Sequence, residues 1–307
     1  MRAQARIVAV ADPVRGTRLA AMRGEPPLLP RRTFPSDSEG EVQLHLVGGA
    51  AGPLGGDDLR IEIEVGPDAR LCVRSVAASL ALPGPAGGQS RLHITARVAA
   101  GGRLRWLPEP LIGAAGCDHR TVTSIALAEG ATLLWREELV CGRYAEPVGD
   151  VRIETTLRYG GRTLLRNDLA VGPRASGWSG PAVLDGARAV GSLLVVDPAW
   201  SDATSQEPTR CVWMAGPDDG SGRPDSAGGP TGVRRAAPEH STAAVLPLAG
   251  GPAMLVNAVG ADPRAVRARL DRLSVRRYVP ERTARFRAIP IARVSPAASS
   301  ATAGDAE

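Results

Sequence analysis

The feature that most constrains the fold is an alternation of apolar and polar side chains, which recurs through the first two hundred residues. In residues 58–65 the apolar side chains occupy every second position, at Leu59, Ile61, Ile63 and Val65. A period of two is typical of a half-buried β-strand. The same period recurs in four further segments, EVQLHLVGG, RLHITARVAAGGRLRW, VTSIALAEGATLLW and VRIETTLRYGGRTLL. The chain is therefore predicted to consist mainly of β-strands.

Glycine turns interrupt the alternating segments at a regular interval. They lie at Gly66, Gly101, Gly130 and Gly160, about thirty residues apart, and each is followed by a short Ala, Arg or Thr step and a leucine. This pattern predicts strand–turn–strand units laid side by side, each with one apolar face against its neighbour. The expected fold is a layered or solenoid-like all-β body of many strands. A sandwich and a barrel stay open, because alternation does not fix the strand order.

A helical pattern occurs only in the C-terminal part. In the segment GADPRAVRARLDRLSVRR, Asp262 is a candidate N-cap and Pro263 suits the first helical position. Val266, Leu270 and Leu273 then fall on one face. The sequence therefore predicts a mainly β protein with a few C-terminal helices.

The chain is expected to form one all-β domain over residues 1–293. Residues 215–241 are rich in Gly, Pro, Asp and Ser, so they cannot bury enough apolar surface to offset the entropy of ordering. We interpret them as a flexible excursion from the domain. Residues 294–307 are predicted to be a disordered tail.

Composition excludes several classes of function. Lysine is absent, the formal net charge is +5 and, except in the last fifty residues, the arginines are dispersed and aromatic residues are scarce, so nucleic-acid binding is not expected. No segment reaches the roughly 20 apolar residues of a membrane helix, and the N-terminus does not resemble a signal peptide. The four cysteines lack Cys-x-x-Cys spacing, which favours reduced, buried thiols. A cytoplasmic location without a membrane partner is expected.

No catalytic motif is evident. The chain lacks a Gly-x-Ser-x-Gly elbow, and no Ser or Cys has a local signature of activation. The glycine-rich residues 48–58 lack the Gly-Lys-Ser/Thr ending of a phosphate-binding loop and precede a strand instead of a helix. We predict a wide hairpin-type loop there, with Asp57 bonding its own backbone. The protein is not expected to be an enzyme.

Metal binding is the remaining chemistry that the sequence suggests. Cys117, Asp118 and His119 offer neighbouring ligand types. They are weak candidates, since a stable site needs at least three ligands and no spaced partner is evident. The acidic side chains of Glu137, Glu138 and Glu146 are interpreted as a solvated face.

Several motifs occur in the order found in a known protein family. They are EPPLLPRRTFP at residues 25–35, a glycine loop with Gly48, Gly49, Gly56 and Asp57, VRSVAAS at 73–79, a Trp-Leu-Pro-x-Pro element with Trp106, Pro108, Glu109 and Pro110, and a Glu-x-x-x-Gly-Arg element with Glu138, Gly142 and Arg143. With these motifs the chain resembles the urease accessory protein family UreD, also called UreH. It departs from the family in Glu109, where the family has glutamine, and in its small-residue segment, which lacks the family's Thr-Gln.

The resemblance implies an all-β fold with stacked strands and a function in urease maturation. The protein would scaffold Ni²⁺ insertion by binding apo-urease, UreF and, through UreF, the GTPase UreG. No tightly bound cofactor is implied, and nickel would be bound only transiently. Trp106, Pro108 and Pro110 suit a rigid wall or a corner that faces a partner, and a purely structural corner is the alternative.

A second hypothesis is an all-β protein that binds a small molecule or a carbohydrate. Trp106, Trp135 and Trp178 would then line a groove. The low aromatic content, 3%, weighs against it, because stacking platforms need several aromatic side chains.

Overall fold

The computed structural model describes residues 1–34, 40–200, 212–214 and 241–273. Within these ranges the chain forms eighteen strands, one 3₁₀ turn at Pro198–Trp200 and one α-helix, α1, at Pro263–Leu273. The strands are β1 Arg2–Asp12, β2 Gly16–Gly24, β3 Leu28–Thr33, β4 Val42–Gly48, β5 Asp58–Val65, β6 Arg70–Ser75, β7 Ser79–Ala81, β8 Ser90–Val98, β9 Arg103–Leu107, β10 Leu111–Gly113, β11 Asp118–Leu127, β12 Thr132–Cys141, β13 Asp150–Tyr159, β14 Arg162–Val171, β15 Ala189–Val196, β16 Val212–Met214, β17 Thr242–Leu248 and β18 Ala253–Gly260.

The strands form two sheets whose central strands are parallel. The seven-stranded sheet has the order β14-β13-β11-β8-β5-β1-β2, and the main path of the eleven-stranded sheet is β16-β17-β18-β15-β12-β9-β6-β4-β3. In the first, β1, β5, β8, β11 and β13 run parallel. In the second, β4, β6, β9 and β12 do so. The chain alternates between the two sheets, which is the connectivity of a solenoid.

The predicted turns close the coils of this solenoid. Gly66, Gly101 and Gly130 each return the chain from the seven-stranded to the eleven-stranded sheet, whereas Gly160 joins the antiparallel pair β13 and β14. Gly130 has a φ of 81°, in the left-handed region that glycine adopts without strain. The solenoid-like prediction is therefore confirmed. The interval of about thirty residues between successive glycine turns corresponds to one coil of the solenoid.

The core lies between the two sheets. Ile63 and Ile94 of the seven-stranded sheet and Leu71 and Leu104 of the eleven-stranded sheet belong to one buried cluster. Aliphatic side chains dominate it, as the low aromatic content requires. The aromatic contribution is the pair Trp106 and Trp135, whose rings stack 4.9 Å apart at 13°.

The glycine-rich loop is not a hairpin, so that prediction is wrong. It carries the chain from β4 in one sheet to β5 in the other, because β5 pairs with β1 and β8 instead of β4. Asp57 does bond its own backbone, since its Oδ2 accepts the N–H of Leu54 at 2.8 Å. Its Oδ1 bonds the amino group of Met1. The loop is a corner of the solenoid pinned by one buried carboxylate.

Helix α1 begins at Pro263, as predicted, and is capped by Asp262, whose Oδ1 accepts the N–H of Arg264 at 2.9 Å. Val266 and Leu270 are buried. Leu270 packs against Gly191 of β15, where an added Cβ would lie 2.7 Å from its Cδ1. Helix α1 therefore covers part of the outer side of the eleven-stranded sheet.

Parts of the predicted organisation fall outside the described residues. The excursion at 215–241, except for Ser241, the tail at 294–307 and the domain limit at residue 293 all do so, and they stay predictions. In the part of the chain that the structure describes, no helix is long and apolar enough to cross a membrane.

Candidate functional site

A cavity of about 560 Å³ lies between the two sheets and is called the main cavity below. Ile61, Ile94 and Thr121 line it from the seven-stranded sheet, and Trp106 and Glu137 from the other. Loop segments near its rim add small side chains, at Ala50, Ala51, Pro53, Ala77 and Ala78. The wall is mostly apolar, with a few polar groups, as in many ligand and transport sites.

Glu137 is the charged group that faces this interior from β12. Its Oε1 accepts bonds from Trp135 Nε1 at 3.0 Å and Thr123 Oγ1 at 3.1 Å, and its Oε2 accepts Thr155 Oγ1 at 2.8 Å. Burial raises the pKa of Glu137, and the bonds from Trp135, Thr155 and Thr123 oppose that rise. Three donors thus hold a carboxylate in place inside the protein.

A second cavity of about 180 Å³ adjoins the first. Glu137 and Ile153 line both cavities. The second cavity is more polar and includes Asn167, Ser192 and Asn257. Glu137 therefore lies between two internal spaces, where any small polar species that passed from one to the other would meet its carboxylate.

The interpretation of the glutamates as a solvated face is wrong. Glu137 points between the sheets and Glu138, on the opposite side of β12, is 7% exposed. Glu146 bonds the backbone of Ala115 and the guanidinium of Arg143. Glu137 is inside because side chains alternate between the two faces of a strand, and Glu137 lies on the same, inward face of β12 as Leu133 and Trp135.

An ion-pair network joins helix α1 to the rim of the main cavity. Arg267 bonds Glu109 at 2.7 Å and Glu138 at 2.6 Å, and both carboxylates line the cavity. Burial disfavours the charged form of Arg267, but the hydrogen bonds that it donates to the carboxylates of Glu138 and Glu109 outweigh this effect and hold the pKa of the guanidinium above its usual range. Arg136 adds a bond to the carbonyl of Pro108 at 3.2 Å. The network fixes the helix over this corner.

Replacing Arg267 with methionine should lower the free energy of unfolding by about 2 kcal/mol, because buried Glu138 would lose its bonds to Arg267 and keep Arg136, at 3.2 Å, as its cationic partner. Urea denaturation of both proteins measures the difference. Arg264→Met, at an exposed position of the same helix, is the matched control and should change stability by less than about 0.5 kcal/mol. Equal losses in the two variants would contradict the network.

The Trp-Leu-Pro-Glu-Pro element forms a fixed corner beside the main cavity. The side chain of Trp106 is 4% exposed. The N–H of Glu109 donates to Ser75 Oγ at 2.9 Å, and the carbonyl of Pro110 accepts the N–H of Ser79 at 2.9 Å. Trp106 is therefore a core side chain, while Pro108, Glu109 and Pro110 are partly exposed.

The weak metal candidates are tied to other groups. His119 Nδ1 bonds Ser90 Oγ at 2.8 Å and its Nε2 bonds Thr121 Oγ1 at 3.0 Å. Burial raises the pKa of Cys117 to about 11. Asp118 bonds Gln89 and Arg174. Among the described residues, no three His, Cys, Asp or Glu side chains are grouped to hold a metal ion, so nickel contact at these positions stays a prediction.

His119 should make stability depend on pH. Burial lowers its pKa from 6.5 to about 4, so the unfolded chain binds a proton below pH 6.5 that the folded protein does not. Its contribution is complete above pH 6.5 and is lost as the pH falls, by about 3 kcal/mol at pH 4. Denaturant titrations from pH 7 to pH 4 should show a shallower decline for His119→Gln than for the unchanged protein. Parallel declines would contradict this assignment.

Comparison with known proteins decides the family. The family model described as UreD urease accessory protein matches residues 1–290. A urease accessory protein UreD of Streptomyces avermitilis is 44% identical over 272 residues, covering 88% of this chain and 95% of its own. UreD proteins of a Parafrankia strain and of Streptomyces coelicolor are 40% identical over 296 residues and 42% identical over 272 residues, and cover 89% and 88% of this chain and 88% and 94% of their own.

The chain belongs to the UreD family of urease accessory proteins. Membership indicates a role in urease maturation. The predicted family resemblance is therefore confirmed over most of the chain.

The structure brings most UreD motif segments to one place. The main cavity is lined by residues of five of them, including Pro27, Gly48, Ser75, Trp106 and Glu138. These segments are spread over more than a hundred positions of the sequence. Their convergence makes the main cavity the candidate functional site of this UreD-family protein.

Six predicted motif residues do not line the cavity, namely Gly49, Gly56, Asp57, Pro110, Gly142 and Arg143. Gly142 and Arg143 follow β12 in a turn, which Arg188 holds by donating to the carbonyls of Cys141 at 2.7 Å and Glu146 at 2.8 Å. Gly142 has a φ of 81°, which favours glycine. The Glu-x-x-x-Gly-Arg element therefore divides into a helix contact at Glu138 and a turn.

Sequence reasoning missed two important side chains. Glu137 shares the inward parity of the apolar residues of β12, a signal present in the sequence. No local sequence pattern indicates the role of Arg267, because its partner Glu109 is 158 positions away.

Proposed function

We propose that this UreD-family protein is a cytoplasmic urease-maturation chaperone that scaffolds Ni²⁺ insertion into apo-urease. The observation that carries the proposal is the convergence of family motif segments on the main cavity. In this proposal the chain is not an enzyme. It binds apo-urease and UreF, and through UreF it works with UreG, which performs the GTP chemistry.

The interior suits a path for a cation. A single carboxylate, Glu137, lies between the main and second cavities with the hydroxyls of Thr123 and Thr155 beside it. Oxygen ligands from one carboxylate and neutral groups bind a divalent cation weakly compared with a full set of nitrogen or thiolate ligands. Nickel would therefore make a brief contact here and move on. No tightly bound cofactor is part of the proposal.

The rigid frame suits a scaffold. The cavity is walled by strands of two sheets, and its rim is tied to helix α1 through Arg267. Binding sites built on strands hold their geometry more closely than sites on loops. A partner that docks at the rim would meet a preorganised opening, which lowers the entropy cost of association.

Association with the partners tests the proposal. Purified protein is mixed with apo-urease or with UreF and analysed by size-exclusion chromatography with light scattering. We expect a complex with at least one of them, and a larger complex when UreG is added with UreF. Failure to associate with either apo-urease or UreF would count decisively against the proposal.

A second candidate function rests on the size and lining of the main cavity. A volume of about 560 Å³ is in the range of small-molecule sites, and Trp106 lies in its wall. Trp135 and Trp178 do not line it, so the three-tryptophan groove is not formed there. A ligand screen by thermal shift discriminates the two functions, because saturable binding of a small molecule without any association with urease would favour this alternative.

A further inference from the structure

The outer face of the seven-stranded sheet carries a concentration of arginines. Outward positions of β8, β11, β13 and β14 alternate with the buried ones. The outward arginines are Arg91, Arg97, Arg120, Arg152, Arg158 and Arg166. Helix α1 packs against strands of the other sheet, and these six side chains are solvent-accessible. We call this surface the basic face.

Three of the arginines stand side by side. Arg91, Arg120 and Arg152 are direct register partners across β8, β11 and β13, where strands are about 4.8 Å apart. Like charges directly opposite each other on neighbouring strands destabilise a sheet. Glu154 offsets part of this by bonding Arg120 at 2.8 Å and Arg152 at 3.0 Å. Among the residues that the structure describes, Arg91 bonds the neutral amide of Gln89 and no carboxylate, although Asp58 is its register partner on β5.

The other end of the basic face is less compensated, because Glu64, the register partner of Arg97 on β5, bonds Arg6 at 3.1 Å. Arg97, Arg158 and Arg166 are exposed, and no carboxylate bonds them among the residues that the structure describes. Asp168 bonds Arg152, while Asp118 and Asp150 are bridged by Arg174. The outward side of β8, β11, β13 and β14, with Arg174, therefore holds seven arginines and four carboxylates, and two further carboxylates, Asp58 and Glu64 of β5, lie opposite Arg91 and Arg97 at its border. Folding of the sheet does not require this excess of positive charge.

An acidic border lies beside the basic face. The neighbouring strand β5 points Asp58, Glu62 and Glu64 outward, with Arg60 between them. These carboxylates are paired with arginines on or beyond β5, since Arg6 of β1 bonds Glu64 at 3.1 Å and Arg60 bonds Asp58 at 3.4 Å. Strand β5 therefore marks the limit of the basic face.

We propose that the basic face is a docking surface for an acidic surface of a protein partner in urease maturation. Arginine suits the task, because its guanidinium bonds carboxylates with two parallel N–H groups. Nucleic acid fits less well, since the outward residues between the arginines are small, such as Ser124, Ala126 and Thr156, and offer no aromatic stacking.

The location adds to the argument. The basic face is the outward side of the sheet whose inward side walls the main cavity through Ile61, Ile94 and Thr121. A partner bound there leaves the loops at the cavity rim free for another member of the assembly. The inference rests on the proposed function in that the partner is a component of urease maturation.

A charge-matched pair of triple variants tests the docking surface. One carries Arg97→Ser, Arg158→Ser and Arg166→Ser. The control carries Arg15→Ser, Arg23→Ser and Arg264→Ser, at exposed positions elsewhere. Affinity for purified apo-urease, and separately for UreF, is measured at 50, 150 and 300 mM NaCl, concentrations that span the range over which surface charges become screened.

We expect the first triple variant to bind one of these partners at least about tenfold more weakly at 150 mM NaCl, with a shallower salt dependence, and the control to stay within about twofold of the unchanged protein. Unchanged binding of both partners by the first variant would overturn the docking surface while leaving the proposed function intact. If the unchanged protein binds neither partner, the proposed function fails and this inference fails with it. Binding of a DNA duplex that only the first variant loses would assign the face to nucleic acid and also overturn the inference.

Discussion

Glu137→Gln is expected to lower nickel-dependent urease activation by tenfold or more while the protein stays folded. Glutamine keeps the shape of the side chain, its Oε1 can still accept bonds from Trp135 and Thr123, and its NH₂ group can donate to the hydroxyl of Thr155. It cannot offer a negative charge to a passing cation. Contacts to a charged group are worth about 1.5–3 kcal/mol, and 1.4 kcal/mol is already a factor of ten in rate. Urease activity recovered per mole of apo-urease, in a system reconstituted with UreF, UreG, GTP and Ni²⁺, measures the effect.

The matched control for this prediction is Glu129→Gln. Glu129 is exposed in the turn after β11, so the same chemical change there should leave activation unchanged. The midpoint of thermal unfolding of Glu137→Gln should equal or exceed that of the unchanged protein, since burial opposes the ionised carboxylate. Full activation by a folded Glu137→Gln protein would remove Glu137 from the path.

Trp106→Ala is expected to lower the free energy of unfolding by about 4 kcal/mol. The indole is 4% exposed and stacks on Trp135 at 4.9 Å, and its loss would extend the main cavity, which the surrounding strands cannot collapse to fill. Guanidinium denaturation followed by circular dichroism gives the difference.

UreF binding of the same variant separates two roles for this corner. Below its unfolding transition, Trp106→Ala should still bind UreF if the indole acts through the core alone. A large loss of UreF affinity in a folded protein would instead place Trp106 in recognition. A stability change below about 1 kcal/mol would contradict the buried stack itself.

The solenoid was predictable because its repeat is visible as a local pattern of residue types. Apolar residues at every second position define strands, and glycines such as Gly101 and Gly130 mark where each coil closes. Strand partners are set by contacts between distant segments, so the pattern could not distinguish a solenoid from a sandwich. The same limit explains the loop at residues 48–58, which resembles a hairpin in sequence and is a corner between sheets in the structure.

The candidate site was only partly predictable. Motif order placed eleven residues in one functional group, and five of them line the main cavity, namely Gly48, Trp106, Pro108, Glu109 and Glu138. Their convergence results from stacking of successive coils, which no local pattern encodes.

For side chains outside the motifs, prediction from the sequence was limited for different physical reasons. Glu137 was misassigned because paired glutamates on a strand are more often solvated. Cys117 and His119 were considered as ligands from adjacency alone, and the structure gives His119 two hydroxyl partners. Ionic contacts such as that of Arg267 join segments that are far apart in sequence.

Protection of nickel from a competing chelator tests the central claim most directly. Apo-urease, UreF, UreG, GTP and Ni²⁺ are combined with and without this protein, and EDTA is added in excess over any nickel free in solution. A scaffold that carries the ion through its interior predicts urease activation that withstands EDTA only when the protein is present. Activation that EDTA abolishes in both mixtures, or that is equal in both, would contradict it.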